Sequence, residues 1–404
     1  MSRSPRPGPS RVTTPALAPD RLSRLHDVLA RHVERGAAPG LVSVVARGGE
    51  TRVDAIGAMA VDGPSMPEDA IFRISSMTKP VVAVAALLLV EECVLRLDDP
   101  VDRFLPELAD RRVVRRIDGP VEDTVPARRP ITLRDLLTFR MGTGVHLGPC
   151  PVADAAAPLE LFVGPPRPAL PPEPDEWMRR FATLPLMAQP GERWLYNTGS
   201  DVLGVLIARA SGSALPDVLR ERIFEPLGMV DTGFAVPPAA ADRLVGAYTP
   251  DPATGALHPY PAAAQWLTAP AFPSGVGGLV STAADYLAFA RMLHRGGAPV
   301  LSRPSVRAMT TDQLTPEQKA PGGLFADDFD GRGWGFGVSV VTRHDTPAAP
   351  VGQYGWDGGL GTVWRNDPAE DMITVLLTNV AWTSPRPPVL ARDFLTGAYA
   401  AVAG

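Results

Sequence analysis

The sequence from Phe72 to Val90 reads FRISSMTKPVVAVAALLLV, and the interpretation of the chain starts from it. Its apolar second half predicts a buried helix that begins near Ser76. Residues three positions apart share a helix face, so the amine of Lys79 can reach the hydroxyl of Ser76. The helix N-terminus also offers unpaired N–H groups and a positive dipole, which would stabilise an oxyanion. The spacing therefore predicts a serine nucleophile with a lysine as its proton partner.

The use of lysine in this chain supports that interpretation. Lys79 and Lys319 are the only lysines among 39 Lys and Arg residues, so arginine supplies almost every other positive charge. Arginine cannot give up its proton, whereas a buried lysine can lower its pKa and act as a base. The alternative for this stretch alone is a serine that caps the helix, with a solvated lysine one turn later, and both interpretations stay open.

The composition excludes several classes of function. The 404 residues are 45% hydrophobic and 21% charged, as in ordinary globular proteins. A net charge of −5 without a basic cluster argues against a nucleic-acid partner. Cys93 and Cys150 are too few for a disulfide framework, and the six histidines show no metal-ligand spacing. We therefore expect no metal, no cofactor and no nucleic acid.

The first 19 residues are polar and rich in proline, which predicts a disordered tail. They lack the apolar segment of a secretory signal. The longest apolar run, Val81 to Val90, is about half the length that a membrane span needs. We expect a cytoplasmic protein that does not bind membranes, and its oligomeric state is unknown at this point.

Strand patterns occur near both ends of the chain and are scarce between them. The predicted strands cover residues 40–46, 51–56, 335–342, 361–365 and 372–377. The predicted helices cover residues 20–35, 76–93, 201–210, 214–224 and 282–293, and a last one lies within 384–402. This distribution predicts an α+β fold, in which N- and C-terminal segments form one antiparallel sheet with flanking helices.

The same distribution predicts the domains. We expect an α/β domain from residues 20–95 and 275–404, and a mostly helical domain from residues 96–274. Residues 154–174 are rich in proline and are interpreted as an insertion at the rim of the site. A site would lie in the cleft between the two domains.

Two other stretches suit a serine nucleophile, which needs a base and an oxyanion hole. Tyr196 precedes a predicted helix, and a phenol beside a lysine cation ionises more easily and can act as a base. Residues 354–364 read YGWDGGLGTVW, whose glycines allow close backbone approach and free N–H groups. The alternative for Tyr196 is a tyrosine that only packs at the end of a loop. The alternative for residues 354–364 is a β-hairpin whose glycines only make the turn. No Gly-x-Ser-x-Gly motif is present, which disfavours a histidine-based nucleophile.

These stretches together resemble the serine β-lactamase and penicillin-binding-protein superfamily, and most closely its family VIII carboxylesterase branch. The resemblance starts from FRISSMTKP at 72–80, from Tyr196 with Asp-Val-Leu-Gly at 201–204, and from Gly-Trp-x-Gly-Gly at 355–359. Further segments agree with it: LRLDDPV at 95–101, ITLRDLLT at 131–138, IFEPLGMVDTGF at 223–234 and GLVSTAAD at 278–285. The resemblance covers roughly residues 20 to 400 and implies a β-lactamase/transpeptidase-like fold.

The resemblance also implies roles for single residues. Ser76 would be acylated, Lys79 would assist its deprotonation, and Tyr196 would be the general base that later protonates the leaving group. The backbone N–H groups of Ser76 and Gly359 would form the oxyanion hole. The substrate-binding residues would be Trp356, Gly358 and Asn197.

Three departures from the superfamily pattern bear on the substrate. Thr198 stands where strong lactamases often carry Asn, and Trp356 removes a cation that would pair with a β-lactam carboxylate. Residues 137–142 also lack the His-x-Ser-Gly of many relatives. We therefore expect a carboxylesterase for small acyl esters or thioesters. The alternatives are an acyltransferase, a β-lactamase or D-alanyl-D-alanine peptidase, and a binding protein that has lost activity.

Overall fold

The computed structural model describes residues 16–161, 164–319, 329–344 and 346–403. Residues 1–15 of the predicted disordered tail lie outside the described residues. The end of that predicted tail is ordered, because Leu17 is buried and forms a β-bridge with Val402. The backbone N–H of Ala18 also donates to Ala401 at 2.8 Å. The predicted boundary at residue 19 is therefore wrong by a few residues.

The described strands form one large sheet and three small pairs. They are β1 (Gly40–Arg47), β2 (Glu50–Gly57), β3 (Phe72–Arg73), β4 (Arg112–Val114), β5 (Thr124–Pro126), β6 (Tyr248–Pro250), β7 (Leu257–Pro259), β8 (Val280–Ser281), β9 (Arg332–Trp334), β10 (Ser339–Val341), β11 (Tyr354–Gly358), β12 (Thr362–Asp367) and β13 (Met372–Thr378). The seven-stranded sheet has the order β2-β1-β13-β12-β11-β10-β9, with every neighbouring pair antiparallel. The predicted α+β fold, with a sheet built from both ends of the chain, is confirmed.

The helices surround that sheet and fill the middle of the chain. Those of the described residues are α1 (Pro19–Glu34), α2 (Thr78–Glu91), α3 (Leu133–Leu137), α4 (Pro151–Ala156), α5 (Pro174–Ala182), α6 (Gly199–Ser211), α7 (Leu215–Leu219), α8 (Glu225–Leu227), α9 (Ala283–His294), α10 (Arg303–Met309) and α11 (Val389–Ala400). A π-helix, Arg220–Phe224, joins α7 to α8. Thr132 and Asp135 form a capping box at the start of α3.

The sheet is covered on both faces, and strand β13 shows this directly. Ile373, Val375 and Leu377 belong to the large core, while Met372 and Leu376 belong to a smaller one. This alternation follows from the two-residue period of a strand. Helices α1 and α11 pack on the smaller core, and α9 packs against the other face of β13.

Helix α2 is the central element of the large core. Its residues from Thr78 to Leu89 are all buried, which suits its apolar composition. It packs against α6 and α7, and its first turn lies near the sheet. This position places residues 75–79 between the sheet and the helical part of the chain.

Some predicted boundaries are wrong. The helix predicted from Ser76 starts as a single 3-10 turn, Ser75–Met77, and becomes α-helical at Thr78. The strand predicted over 335–342 is shorter, because Gly337 adopts a left-handed φ of 73° and only Ser339–Val341 pairs. Two small hairpins, β4–β5 and β6–β7, lie in the block predicted to be helical. The division into two domains stays a prediction.

The test for membrane spans concerns the described residues alone. There, no single helix is long and apolar enough to cross a membrane. One bent pair, Gly199–Ser211 with Leu215–Leu227, meets the length and composition criteria together, with an angle of 82° between its halves.

Candidate active site

Ser76 lies in the middle of the 3-10 turn that precedes α2. The turn is fixed from both sides: Ile74 donates its N–H to Leu279 at 3.1 Å, and the hydroxyl of Tyr286 donates to the Met77 carbonyl at 3.0 Å. Ser75, the residue before the proposed nucleophile, has a φ of 47° in the left-handed region. Such a conformation costs about 1–3 kcal/mol in a residue other than glycine, and it is typical of functional sites.

Lys79 is buried at the start of α2, with 1% of its surface exposed. Its Nζ lies 2.8 Å from Ser76 Oγ and donates to the carbonyl oxygen of Val276 at 2.8 Å. The same nitrogen lies 4.5 Å from the centre of the Tyr196 ring. Burial lowers the pKa of Lys79 well below its usual value, and the carboxylate of Asp201 opposes that shift. The predicted contact between Lys79 and Ser76 is present, and burial favours the neutral amine.

Tyr196 reaches the same point from the loop before α6. Its backbone is fixed by a hydrogen bond from the Val145 N–H at 2.8 Å, and Asn197 turns the chain with a φ of 96°. The hydroxyl oxygen of Tyr196 accepts a hydrogen bond from Trp356 Nε1 at 2.7 Å, and it is also hydrogen-bonded to Ser76. Burial raises the pKa of Tyr196, although the bonds to Ser76 and Trp356 act in the opposite direction. The structure thus brings Ser76, Lys79 and Tyr196 together.

The glycine-rich stretch is both a hairpin turn and a wall of the site. Strands β11 and β12 are joined through a turn in which Gly361 donates to Gly358 at 2.9 Å. A Cβ at Gly358 would lie 2.3 Å from the Ile74 carbonyl oxygen, so glycine allows the hairpin to pack on the turn before Ser76. This contact places Gly359 in the same cavity wall as Ser76.

Ser76 and Tyr196 line a cavity of about 510 Å³, and the buried Lys79 lies behind them, outside the described lining of the cavity. Its described lining combines the proposed site with aromatic, proline and polar residues from several segments: Ser75, Ser76, Val145, Gly164, Pro165, Pro166, Trp194, Tyr196, Asn197, Thr249, Tyr260, Val276, Phe329, Arg332, Trp334, Ser339, Trp356, Asp357, Gly359, Leu360, Ala381, Trp382, Thr383, Ser384, Pro385 and Pro387. Of the predicted binding residues, Trp356 and Asn197 line the cavity, whereas Gly358 is absent from this lining and serves the hairpin packing.

The proline-rich insertion contributes to this cavity. Its residues 162 and 163 lie outside the described residues, but Gly164 to Pro166 line the cavity wall. The hydroxyl of Tyr260 donates to the Pro166 carbonyl at 2.5 Å and holds this segment in place. Residues 164–166 therefore lie beside the site, and the assignment of residues 154–174 as an insertion at its rim stays a prediction.

Charges near the cavity are mostly paired. Asp357 lines the cavity next to Trp356, and its Oδ2 accepts from Arg365 Nη2 at 2.7 Å. The described residues contain no group of three or more His, Cys, Asp or Glu side chains that could hold a metal ion. The site therefore presents an alcohol and a phenol to a cavity that is partly lined by aromatic residues, with the buried amine of Lys79 behind them.

Several residues of the site were missed in the sequence. Trp194, Trp334 and Tyr260 come from separate segments, and a single sequence carries no signal that joins them. Asp201 was quoted within a motif but received no function. The structure places its carboxylate in the buried region near Lys79.

Comparisons with known proteins identify the family and the fold of the chain. A family model described as Beta-lactamase matches residues 25–396. Protein Rv1367c of Mycobacterium tuberculosis is 40% identical over 337 residues, which cover 81% of this chain and 82% of that protein. Esterase EstB of Burkholderia gladioli is 31% identical over 388 residues, covering 89% and 91% of the two chains. The solved structure of EstCE1, described as a hydrolase with promiscuous acyltransferase activity, is 26% identical and aligns with a TM-score of 0.79 over 94% of this chain and 98% of its own.

Proposed function

The chain belongs to the beta-lactamase family, and from this membership and its site geometry we propose that it is a serine hydrolase that acts as a carboxylesterase. One observation carries the proposal. Ser76 Oγ lies 2.8 Å from Lys79 Nζ and is hydrogen-bonded to Tyr196, and the serine and the tyrosine line one cavity. A nucleophile within reach of its base, with a second proton donor beside both, is the arrangement that acyl transfer needs.

The proposed reaction begins with the transfer of a proton from Ser76. The neutral amine of Lys79 accepts it while Ser76 Oγ attacks the ester carbonyl carbon, which gives a tetrahedral oxyanion and a lysine ammonium. The backbone N–H groups of Ser76 and Gly359 bind that oxyanion. The bond to the alcohol oxygen then breaks, and the alcohol leaves with a proton from the phenol of Tyr196, which Lys79 replaces.

Hydrolysis of the acyl-enzyme repeats these steps with water. A water molecule gives its proton to the neutral amine of Lys79 and attacks the acyl carbon. The Ser76 oxygen then leaves and regains a proton from the ammonium. The carboxylic acid is released, and all three side chains return to their starting protonation states.

The directions of the pKa shifts of Lys79 and Tyr196 favour Lys79 as the group that accepts the first proton. The resemblance implied Tyr196 as the general base, helped by a neighbouring lysine cation. Burial instead raises the pKa of Tyr196 and lowers that of Lys79, so the neutral amine and the neutral phenol are favoured together. We therefore assign proton acceptance to Lys79 and proton donation to the leaving group to Tyr196.

An ester suits this cavity better than a β-lactam. Trp356 Nε1 is already hydrogen-bonded to Tyr196, and the indole carries no charge that could pair with a β-lactam carboxylate. Aromatic side chains make up much of the lining, which favours an apolar acyl or alcohol group. EstB is itself named an esterase, which supports this choice. The cytoplasmic location remains a prediction.

An acyltransferase is the second candidate. EstCE1 is described as a hydrolase with promiscuous acyltransferase activity, and the cavity of about 510 Å³ has room for an acceptor beside an acyl group. The acyl-enzyme would be the same, and an alcohol or amine would replace water in the second step.

The test combines labelling with product analysis. We expect a fluorophosphonate probe to add to Ser76 and not to the adjacent Ser75, as peptide mass spectrometry would show. We expect p-nitrophenyl acetate and butyrate to be turned over by the wild type and not by Ser76→Ala. Retained turnover in Ser76→Ala would refute the proposal. Ester products formed with added alcohols would indicate the acyltransferase, and rapid nitrocefin hydrolysis would indicate a β-lactamase.

A further inference from the structure

Asp201 is a buried carboxylate that the proposed reaction does not yet use. It lies in the first turn of α6, with 8% of its surface exposed. Its Oδ1 accepts a hydrogen bond from Ser274 Oγ at 2.7 Å and another from the Val276 N–H at 3.2 Å. The carboxylate is therefore bound to the segment 274–276 by hydrogen bonds.

The segment 274–276 connects Asp201 to Lys79. Val276 donates its N–H to Asp201, and its carbonyl oxygen accepts the hydrogen bond from Lys79 Nζ at 2.8 Å. The segment packs closely on α6, because a Cβ at Gly275 would lie 2.2 Å from the Ser200 carbonyl oxygen. A shift of the carboxylate would thus move the acceptor of the Lys79 amine.

We propose that Asp201 is a positioning residue that holds Lys79 through Val276 and stabilises the ammonium formed when Lys79 takes the Ser76 proton. The inference rests on the role proposed for Lys79. A base needs a group that orients it and offsets the charge it acquires, and a buried carboxylate can do both. Asp201 makes no proposed contact with the substrate, so it acts through Lys79 and the segment 274–276.

The charges around the pair support this role. The carboxylate of Asp201 favours the ammonium of Lys79, against the effect of burial. Burial raises the pKa of Asp201 to about 6, so its charge is present at neutral pH and lost below that value. Two other titratable or charged side chains lie close: Tyr196 faces Lys79, and Arg167 lines a cavity of about 40 Å³ together with Asp201. Asp357 acts on the phenol of Tyr196.

Asp285 provides a matched carboxylate without this role. It is also buried in the first turn of a helix, α9, and it accepts hydrogen bonds from Asp231 N and Thr232 Oγ1, each at 2.8 Å. Burial raises its pKa as well. Its partners belong to the 231–232 turn, and it is absent from the described lining of the active-site cavity. The two carboxylates differ in their position relative to Lys79, which makes Asp285 a control.

The test is the pH profile of kcat/KM for Asp201→Asn, with Asp285→Asn as the control. Asparagine keeps the shape and can still accept from Ser274, but it removes the charge that favours the ammonium. Because Lys79 acts as a neutral base, the acid limb of the profile should move to lower pH by about one unit or more. The weaker base should lower the plateau by about tenfold or more. The acid limb of the Asp285→Asn profile should coincide with that of the wild type.

The outcomes separate this inference from the proposed function. A folded Asp201→Asn with the wild-type limb would overturn the inference while leaving an active wild type and the proposed function intact. If the wild type shows neither esterase activity nor labelling of Ser76, the proposed function is refuted before this inference is tested. If Asp201→Asn does not fold, Ser274→Ala decides, because loss of the hydroxyl raises the pKa of Asp201. Below the raised pKa of Asp201 its profile should approach that of Asp201→Asn, and above it that of the wild type. An unchanged profile would overturn the inference.

Discussion

The reactive crevice around Ser76 and the layer formed by the two terminal helices are built in opposite ways. In the crevice, a lysine, a tyrosine and an aspartate are buried, and the residue before the nucleophile has a left-handed φ. In the terminal layer, α1 and α11 cover the sheet with apolar side chains such as Leu29 and Phe394, both fully buried.

The two regions also differ in the environment of their buried polar groups. At the terminal layer the Tyr399 hydroxyl donates to Asp367 at 2.7 Å and accepts from Gln353 at 2.6 Å, so the buried carboxylate has a donor. In the crevice, burial disfavours the charged forms of Lys79 and Tyr196. The terminal layer contributes stability, whereas the crevice keeps buried polar groups that cost stability and that we propose transfer protons. Substitutions in the two regions should therefore affect different properties.

The largest effect is expected for Lys79→Met. Methionine fills a similar volume but has no amine, so kcat/KM should fall by about 10³–10⁴-fold. The melting temperature should stay the same or rise, because a buried polar group is costly to the fold. Ester hydrolysis and thermal unfolding measured on the same sample would check both. Activity within tenfold of the wild type, or a large fall in melting temperature, would contradict the comparison.

Phe394→Ala should lower stability and retain activity, which is the opposite of the result expected for Lys79→Met. Phe394 is fully buried between α11 and the sheet, and its loss should lower the free energy of unfolding by about 3–5 kcal/mol. The kcat/KM of the folded enzyme should change little, since Phe394 is absent from the described lining of the cavity. Val389→Ala in the same helix is the control, because Val389 is 53% exposed and should cost less than about 1 kcal/mol. Equal losses in the two variants would show that the layer is not packed as described.

The smallest effect is expected for Trp356→Phe, which keeps a ring but removes the N–H that donates to Tyr196. A neutral hydrogen bond is worth about 0.5–1.5 kcal/mol, so kcat/KM should fall by about tenfold or less. This bond lowers the pKa of Tyr196, so its loss should move the basic limb of the pH profile to higher pH. An unchanged basic limb would show that the indole does not act on the phenol.

The sequence predicted much of the fold because local patterns determine it. The hairpin of β1 and β2 follows from alternating residues around Gly48 and Gly49, and the capping box of Thr132 and Asp135 is a local motif. The contact of Lys79 with Ser76 follows from helix geometry. The position of Tyr196 came from the resemblance, since no local rule joins residues 76 and 196.

The remaining features depend on tertiary structure. Asp201 and Val276 are far apart in sequence, so their hydrogen bond has no local signal. The protonation states also depend on packing: a lysine cation beside a phenol favours a lower pKa for Tyr196. Burial of both groups disfavours both charges, and burial is known only once the chain is packed.

The order of strands in the sheet has a consequence for synthesis on the ribosome. Strand β1 emerges early and can pair with β2, but its other neighbour is β13, with Leu41 opposite Thr378. An apolar strand edge therefore stays unpaired until residues 372–378 have been translated, which favours aggregation and binding by chaperones. The turn before Ser76 also needs Gly358 and Thr362 beside it, so this turn reaches its final geometry only after residues 358–362 have been translated.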